Sequence, residues 1–170
     1  MKSILFCAAL FFSLAAFSQQ DKSTRPSPPA SVKETIKTGA VVSIDYSQPA
    51  VKGRTIGKDL EPLPDKVWRT GANEATVFAV SKDVEIEGKK LPAGKYGLFT
   101  INNGDDWTII FNKTWNQWGA FDYKEADDAL RVKVKGKKAK EFSERMTFKV
   151  SKEGDVALLW GDKSVDFKVK

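Results

Sequence analysis

The sequence predicts an all-β fold: a single-domain β-sandwich or jelly-roll-like barrel of about ten strands with at most one short helix. Two observations lead to this prediction. Apolar and polar residues alternate with a period of two in segment after segment, and turn pairs such as Glu87-Gly88 and Asn103-Gly104 separate these segments. One domain over residues 31–170 has enough chain to bury its own core.

The alternation is clearest at the C-terminus, where Val165, Phe167 and Val169 share one face of a strand. Strands 75–81, 95–101 and 106–112 carry apolar residues on both faces, so we expect them at the centre of the sheet and covered by other structure. The other predicted strands cover residues 32–37, 41–46, 66–69, 83–87, 146–151, 155–160 and 164–170. The single helical candidate is 122–129, with Asp122 as its N-cap and Glu125 in the capping-box position.

The N-terminal region has the features of a secretory signal peptide. Lys2 precedes an apolar run that is too short to span a bilayer, and small residues come before a cut predicted after Ser18. Residues 1–18 are therefore predicted to be removed on export, and residues 19–30, polar and proline-containing, to form a tether. We expect the mature protein to be periplasmic or extracellular, with no transmembrane segment.

Missing residue types exclude several kinds of chemistry. The chain contains no His, and its one Cys, Cys7, lies in the apolar start. Ser-His-Asp triads, Cys nucleophiles and zinc sites of ordinary ligand type are therefore ruled out for the mature chain. No glycine-rich nucleotide-binding pattern occurs. We assign no catalytic residue, no metal site and no cofactor.

Basic residues are concentrated between positions 131 and 140, and on a strand the first three would share one face: Arg131, Lys133, Lys135, Lys137, Lys138 and Lys140. We interpret them as a solvated strand face that lysines protect against edge-to-edge pairing. The alternative is a patch for anionic lipid headgroups or polyanionic glycans. Nucleic acid is not an expected partner of an exported protein.

A first candidate binding stretch surrounds Gly71 between two predicted strands. Arg69 could clamp an anionic group while Asn73 and Glu74 supply directional hydrogen bonds. The alternative is structural: Arg69 and Glu74 form a partly buried ion pair that fixes the loop. Of the two, we expect the ion pair.

A second candidate stretch, residues 112–123, combines four aromatic residues with several amides. Trp115 and Trp118 could stack on a sugar or peptide while Asn116 and Asp122 hydrogen-bond to its polar groups. The other interpretation is that Trp115, Trp118 and Phe121 fold inward as a lid on one end of the sandwich, and of the two we expect the lid.

The same stretches carry a family resemblance. Val51-Lys52-Gly53-Arg54, residues 67–75, residues 91–100 and Trp115-Asn116-Gln117-Trp118-Gly119 follow one another in an order that resembles the bacterial domain of unknown function family 2911. The resemblance spans about residues 27–170. It implies an exported β-rich domain, found mainly in Bacteroidetes-type bacteria, and it brings no established activity, cofactor or catalytic residue.

Three functions remain open on the sequence. The leading hypothesis is a non-enzymatic binding module for a glycan, a peptide or a small polar ligand. The second is a carboxylate-based, glycosidase-like hydrolase that uses Glu74 with Asp122 or Asp45, because that chemistry needs two carboxyl groups and no His. The third is a structural or assembly partner in the cell envelope, which would need an exposed apolar patch or an open strand edge.

Overall fold

A computed structural model describes residues 21–170 and confirms the all-β prediction. The described residues contain ten strands, no α-helix, and two single 3₁₀ turns at Lys22–Thr24 and Glu125–Asp127. No helix among them is long and apolar enough to cross a bilayer. The strands are β1 Pro29–Thr35, β2 Val41–Ser47, β3 Val67–Trp68, β4 Thr76–Val80, β5 Val84–Ile86, β6 Lys89–Leu91, β7 Gly94–Asn103, β8 Asp106–Asn112, β9 Asp128–Val150 and β10 Asp155–Lys168.

Eight strands form one antiparallel sheet in the order β1-β2-β4-β7-β8-β9-β10, with β3 paired to β7 off this path. Strands β5 and β6 make a separate two-stranded sheet. The prediction that β4, β7 and β8 are central is confirmed. The large sheet curls into a half-barrel. Strand β9 thereby meets the segment that follows β2, where the Met146 amide donates to the Pro49 carbonyl over 2.9 Å.

The concave side of the sheet holds the main core. Side chains at alternate positions of each strand point into it, as the period of two requires. Phe78, Phe111 and Phe167 pack against one another with ring centroids 5.0 to 6.2 Å apart. Trp68 and Trp160 stack 5.5 Å apart with nearly parallel rings. These contacts tie β3 and β4 to β8 and β10.

The convex side of the sheet differs from one strand to the next. On β7 and β8 it carries Phe99 and Ile110, which are buried in a smaller outer cluster. The segment 113–127 covers this cluster, and the Tyr123 ring lies 5.1 Å from that of Phe99. On β1, β2 and β4 the convex side carries mostly small residues and stays open.

The predicted helix over 122–129 is reduced to the 3₁₀ turn Glu125–Asp127. Its N-cap is Lys124, and Asp122 is an exposed loop residue outside the turn. The helix cannot extend because Asp128 already begins β9, while the Asp127 carbonyl accepts a hydrogen bond from the Lys113 amide. The capping-box prediction is therefore wrong.

Strand β9 is longer than predicted. It runs for 23 residues and pairs with β8 through residues 128–135 and with β10 through residues 136–150. Register shifts interrupt its pairing with β10 near Gly161 and Lys163. These irregularities broke the alternation in the sequence and hid the continuity of the strand.

The described part of the predicted tether, residues 21–30, is hydrogen-bonded to the domain. Strand β1 begins at Pro29, and the Pro28 carbonyl accepts from the Gln48 amide over 2.9 Å. The Asn73 side chain donates to the Ser27 carbonyl over 3.0 Å. The predicted signal peptide, residues 1–18, lies outside the described residues.

Candidate functional site

The aromatic side chains of the segment 113–127 point into solvent. Trp115 is 36% exposed, Trp118 53% and Phe121 82%. The interpretation of these three rings as an inward lid is therefore wrong. The segment lies on the convex side of the sheet, where Ala120 and Tyr123 already fill the contact with the outer cluster, so the remaining large side chains face outward.

A hydrogen-bonded cluster around Asp128 holds this segment in place. The Asp128 carboxylate, almost fully buried, accepts from Tyr123 Oη over 2.9 Å, Arg131 Nε over 2.5 Å and Asn112 Nδ2 over 2.7 Å. Burial and the neighbouring Asp128 raise the pKa of Tyr123 to about 12. The phenol thus stays a donor at neutral pH and anchors the end of the segment.

A short backbone bridge joins the two candidate stretches that the sequence presented separately. Glu74 and Trp118 are bridge partners. The Ala75 amide donates to the Gln117 carbonyl over 3.0 Å, and the Gly119 amide donates to the Asn73 carbonyl over 3.0 Å. Asn73, Glu74 and Trp118 therefore belong to one site.

Glu74 pairs with basic residues of the N-terminal segment instead of with Arg69. Arg25 Nη1 lies 2.9 Å and Lys22 Nζ 3.0 Å from its carboxylate oxygens. Partial burial of Glu74 disfavours its charge, but hydrogen bonds from its own backbone, Lys22 and Arg25 prevail and lower its pKa to about 2. The predicted Arg69–Glu74 ion pair is not formed.

Arg69 lies beside Gly119 and has no hydrogen-bond acceptor for its buried Nε among the described residues. A Cβ added at Gly119 would lie 3.5 Å from Arg69 Nη1 and 3.1 Å from a Phe121 ring carbon. Burial lowers the pKa of Arg69, and the nearby Glu61 partly offsets this effect. Arg69 thus lies close to Gly119 and forms no ion pair with Glu74, whose carboxylate is held by Arg25 and Lys22.

An open groove of about 470 Å³ lies on the convex side of β1, β2 and β4. The register sets Ser31, Asp45 and Val77 side by side across the three strands. We call this surface the platform. Its lining residues are Lys22, Pro29, Ala30, Ser31, Asp45, Tyr46, Ser47, Glu74, Ala75 and Val77.

Trp118 lies next to the platform, and Trp115 lies near the other end of β4. Trp118 bridges Glu74, just before β4, and the Arg25 guanidinium lies 5.8 Å from the centre of the Trp118 ring. The Lys95 ammonium lies 5.2 Å from the Trp115 ring, and Lys95 pairs with Ala79 near the end of β4. Both indoles are thus held by a cation.

Asn116 and Asp122 are exposed on the same segment, and no side-chain hydrogen bond holds either of them among the described residues. Sequence reasoning missed Lys22 and Arg25, which it placed in the tether, and did not include Ser31 and Asp45 in the binding site. The signal for Asp45 was its polar position in an alternating strand. Its neighbours become known only once the strand register is known.

The assembled site offers stacking surfaces and hydrogen-bonding groups. The half-exposed Trp118 indole lies next to small side chains, while the Asp45 and Glu74 carboxylates and the serines can bind hydroxyl or amide groups. Within residues 21–170, no group of three or more Asp, Glu, His or Cys side chains is placed to hold a metal ion.

Comparisons with known proteins identify the family. No curated protein and no solved structure matches this chain. A family model described as "Protein of unknown function (DUF2911)" matches residues 27–169, which comprise β1 to β10 and the platform apart from Lys22. Because this match covers most of the chain, the protein belongs to the DUF2911 family of proteins of unknown function.

Proposed function

We propose that the protein is a non-enzymatic binding module that holds a glycan on the platform. The observation that carries the proposal is the exposed indole of Trp118 next to a surface of small side chains with two carboxylates, with a second exposed indole, Trp115, farther along β4. An aromatic face stacks on the apolar face of a sugar ring, while carboxylates accept hydrogen bonds from its hydroxyl groups.

The shape of the surface favours a flat ligand. Ser31, Asp45 and Val77 form one cross-strand row, so their side chains present a shallow surface without a deep cavity. A sugar ring can lie on such a surface with one face on an indole. Peptides and small polar ligands use deeper pockets or open strand edges more often.

The charge state of Glu74 restricts its role in the hydrolase alternative to that of the ionised carboxylate. That mechanism needs one carboxyl group that carries a proton near neutral pH. Lys22 and Arg25 help to lower the pKa of Glu74 to about 2, so the Glu74 carboxylate is ionised at neutral pH and unsuited to act as a general acid. Ligand binding, in contrast, needs only the acceptor oxygens of the Glu74 carboxylate.

The test is a titration of the protein with a panel of neutral oligosaccharides, followed by tryptophan fluorescence and melting temperature. We expect at least one saccharide to bind, and Asp45→Asn to weaken its binding about tenfold or more, because a hydrogen bond to a charged group contributes about 1.5–3 kcal/mol. Asp162→Asn, which removes an exposed carboxylate outside the platform, should leave affinity unchanged.

Two outcomes contradict the proposal. If peptides raise the melting temperature and no saccharide does, the ligand class is wrong. If a saccharide binds equally well to the wild type and to Asp45→Asn, the binding surface is elsewhere.

A further inference from the structure

A second surface with ligand-binding character lies on β9 and β10, the strands at the other end of the sheet order from β1. Ser143 lies opposite Gly161, and Lys138 lies opposite Lys163. Between these two pairs β9 has residues 139–142, whereas β10 has only Asp162. The extra residues of β9 therefore form a wide bulge at this end of the molecule. We call residues 138–142 the bulge.

Lysines surround the bulge. A groove of about 540 Å³ beside it is lined by Lys137, Lys138, Lys140 and Lys149, with Glu141 and Asp166 as the only carboxylates among its main lining residues. Asp166 already forms an ion pair with Lys137. Among the described residues, Lys138, Lys140 and Lys149 have no carboxylate within ion-pair distance.

The register adds an unfavourable contact. Lys138 and Lys163 are direct cross-strand partners in an antiparallel pair, so their side chains leave the sheet on the same side. Like charges directly opposite each other destabilise a sheet. A bound anion would relieve this repulsion.

An exposed aromatic side chain lies within the bulge, beside Gly161 and outside the main lining of the groove. Phe142, at the end of the bulge, is 63% exposed, although most of the large apolar side chains of the domain are buried. A soluble polyanion would contact the lysines and leave this ring in water. At a bilayer surface, lysines bind the phosphate headgroups while an aromatic ring enters the interfacial layer.

We propose that the bulge and its lysines dock the protein onto an anionic bilayer surface, with Lys138 and Lys140 on phosphate-bearing headgroups and Phe142 in the interface. This proposal is independent of the platform, which lies on β1, β2 and β4. A bilayer bound through the bulge would hold the module next to a membrane.

The test is co-sedimentation of the protein, recovered from cells after any processing of its N-terminus, with vesicles. One set contains phosphatidylglycerol and phosphatidylcholine in equal parts, and the other contains phosphatidylcholine alone. We expect binding to the first set only. Binding should weaken as salt rises from about 0.1 M to 1 M, since the screening length falls from about 10 Å to 3 Å.

Three variants separate the contributions of the bulge lysines, of Phe142 and of net charge to vesicle binding. Lys138→Gln with Lys140→Gln should reduce vesicle affinity about tenfold or more, because each lysine near an anionic surface contributes on the order of 1 kcal/mol. Phe142→Ser should reduce affinity without changing the salt dependence. Lys58→Gln with Lys66→Gln removes the same charge from exposed loop positions and should have little effect.

Three results would overturn the proposal. One is equal binding to both vesicle sets. Another is an equal loss of vesicle affinity in the two double-lysine variants, which would mean that binding depends only on the net charge of the protein. The third is retention on a soluble polyanion such as dextran sulfate without binding to anionic vesicles. Unchanged circular dichroism and melting temperature in all variants would confirm that the exposed substitutions leave the fold intact.

Discussion

At the scale of single residues, the partner of Glu74 determines how the site is built. The sequence suggested Arg69, five positions away, because a short loop can bring such neighbours together. In the structure Arg25 and Lys22, about fifty residues distant, hold the carboxylate instead. The reason is topological: β1 lies two strands from β4, so the residues just before β1 can reach the start of β4.

A pair of double-mutant cycles tests this assignment. Arg25→Ala and Glu74→Ala should be coupled by about 1 kcal/mol or less, because the pair is partly exposed to solvent. Arg69→Ala and Glu74→Ala should be additive within about 0.5 kcal/mol. Denaturant titration of the single and double variants measures both couplings. Strong coupling in the Arg69 cycle, with none in the Arg25 cycle, would restore the prediction made from the sequence.

The acid dependence of stability gives a second test of Glu74. Its pKa is about 2 in the folded protein, against an ordinary value of 4.5. The ionised form is therefore favoured by folding, and its contribution is complete above about pH 4.5 and lost as the pH falls towards 2.

The wild type should thus lose its advantage over Glu74→Gln across that pH window in denaturant titrations. The difference should be about 1 kcal/mol or less, since solvent screens a carboxylate of this exposure. A constant difference between the two proteins from pH 6 to about pH 2 would show that no ion pair forms in the folded state.

At the scale of elements, the segment 113–127 forms an outer layer that the sequence could not orient. Its aromatic content was visible, but the side of the sheet on which it lies was not. Phe99 and Ile110 made β7 and β8 apolar on both faces, which correctly predicted that something covers them. Ala120 and Tyr123 do so, and the larger tryptophans remain outside.

The Asp128 cluster should control how this segment is held. Asp128→Ala removes the acceptor shared by Tyr123 and Arg131 and should lower the unfolding free energy by about 1–3 kcal/mol, as for part-buried donors that lose their acceptor. Asp122→Ala, an exposed carboxylate in the same segment, should change it by about 0.5 kcal/mol or less.

Denaturant titration with tryptophan fluorescence as the probe follows both variants. Equal effects of the two substitutions would mean that the Asp128 cluster does not anchor the segment.

At the scale of the whole molecule, the period of two in residues such as Val165, Phe167 and Val169 was enough to predict the all-β class, and apolar residues on both faces predicted the central strands. It could not predict which strands pair, because pairing depends on contacts between distant residues. The platform depends on that pairing: Ser31, Asp45 and Val77 are far apart in sequence and meet only through the register of β1, β2 and β4.

The most direct test of the binding-module account compares tryptophans of two kinds. Trp115→Ala with Trp118→Ala should abolish saccharide binding while lowering the unfolding free energy by less than Trp68→Ala does, because both rings lie partly exposed at the surface. Trp68→Ala, in the core, should cost about 3–5 kcal/mol, and Phe121→Ala should leave affinity unchanged. Two results would contradict the account: a loss of unfolding free energy in the Trp115 and Trp118 double variant as large as that of Trp68→Ala, or saccharide binding that persists in the double variant.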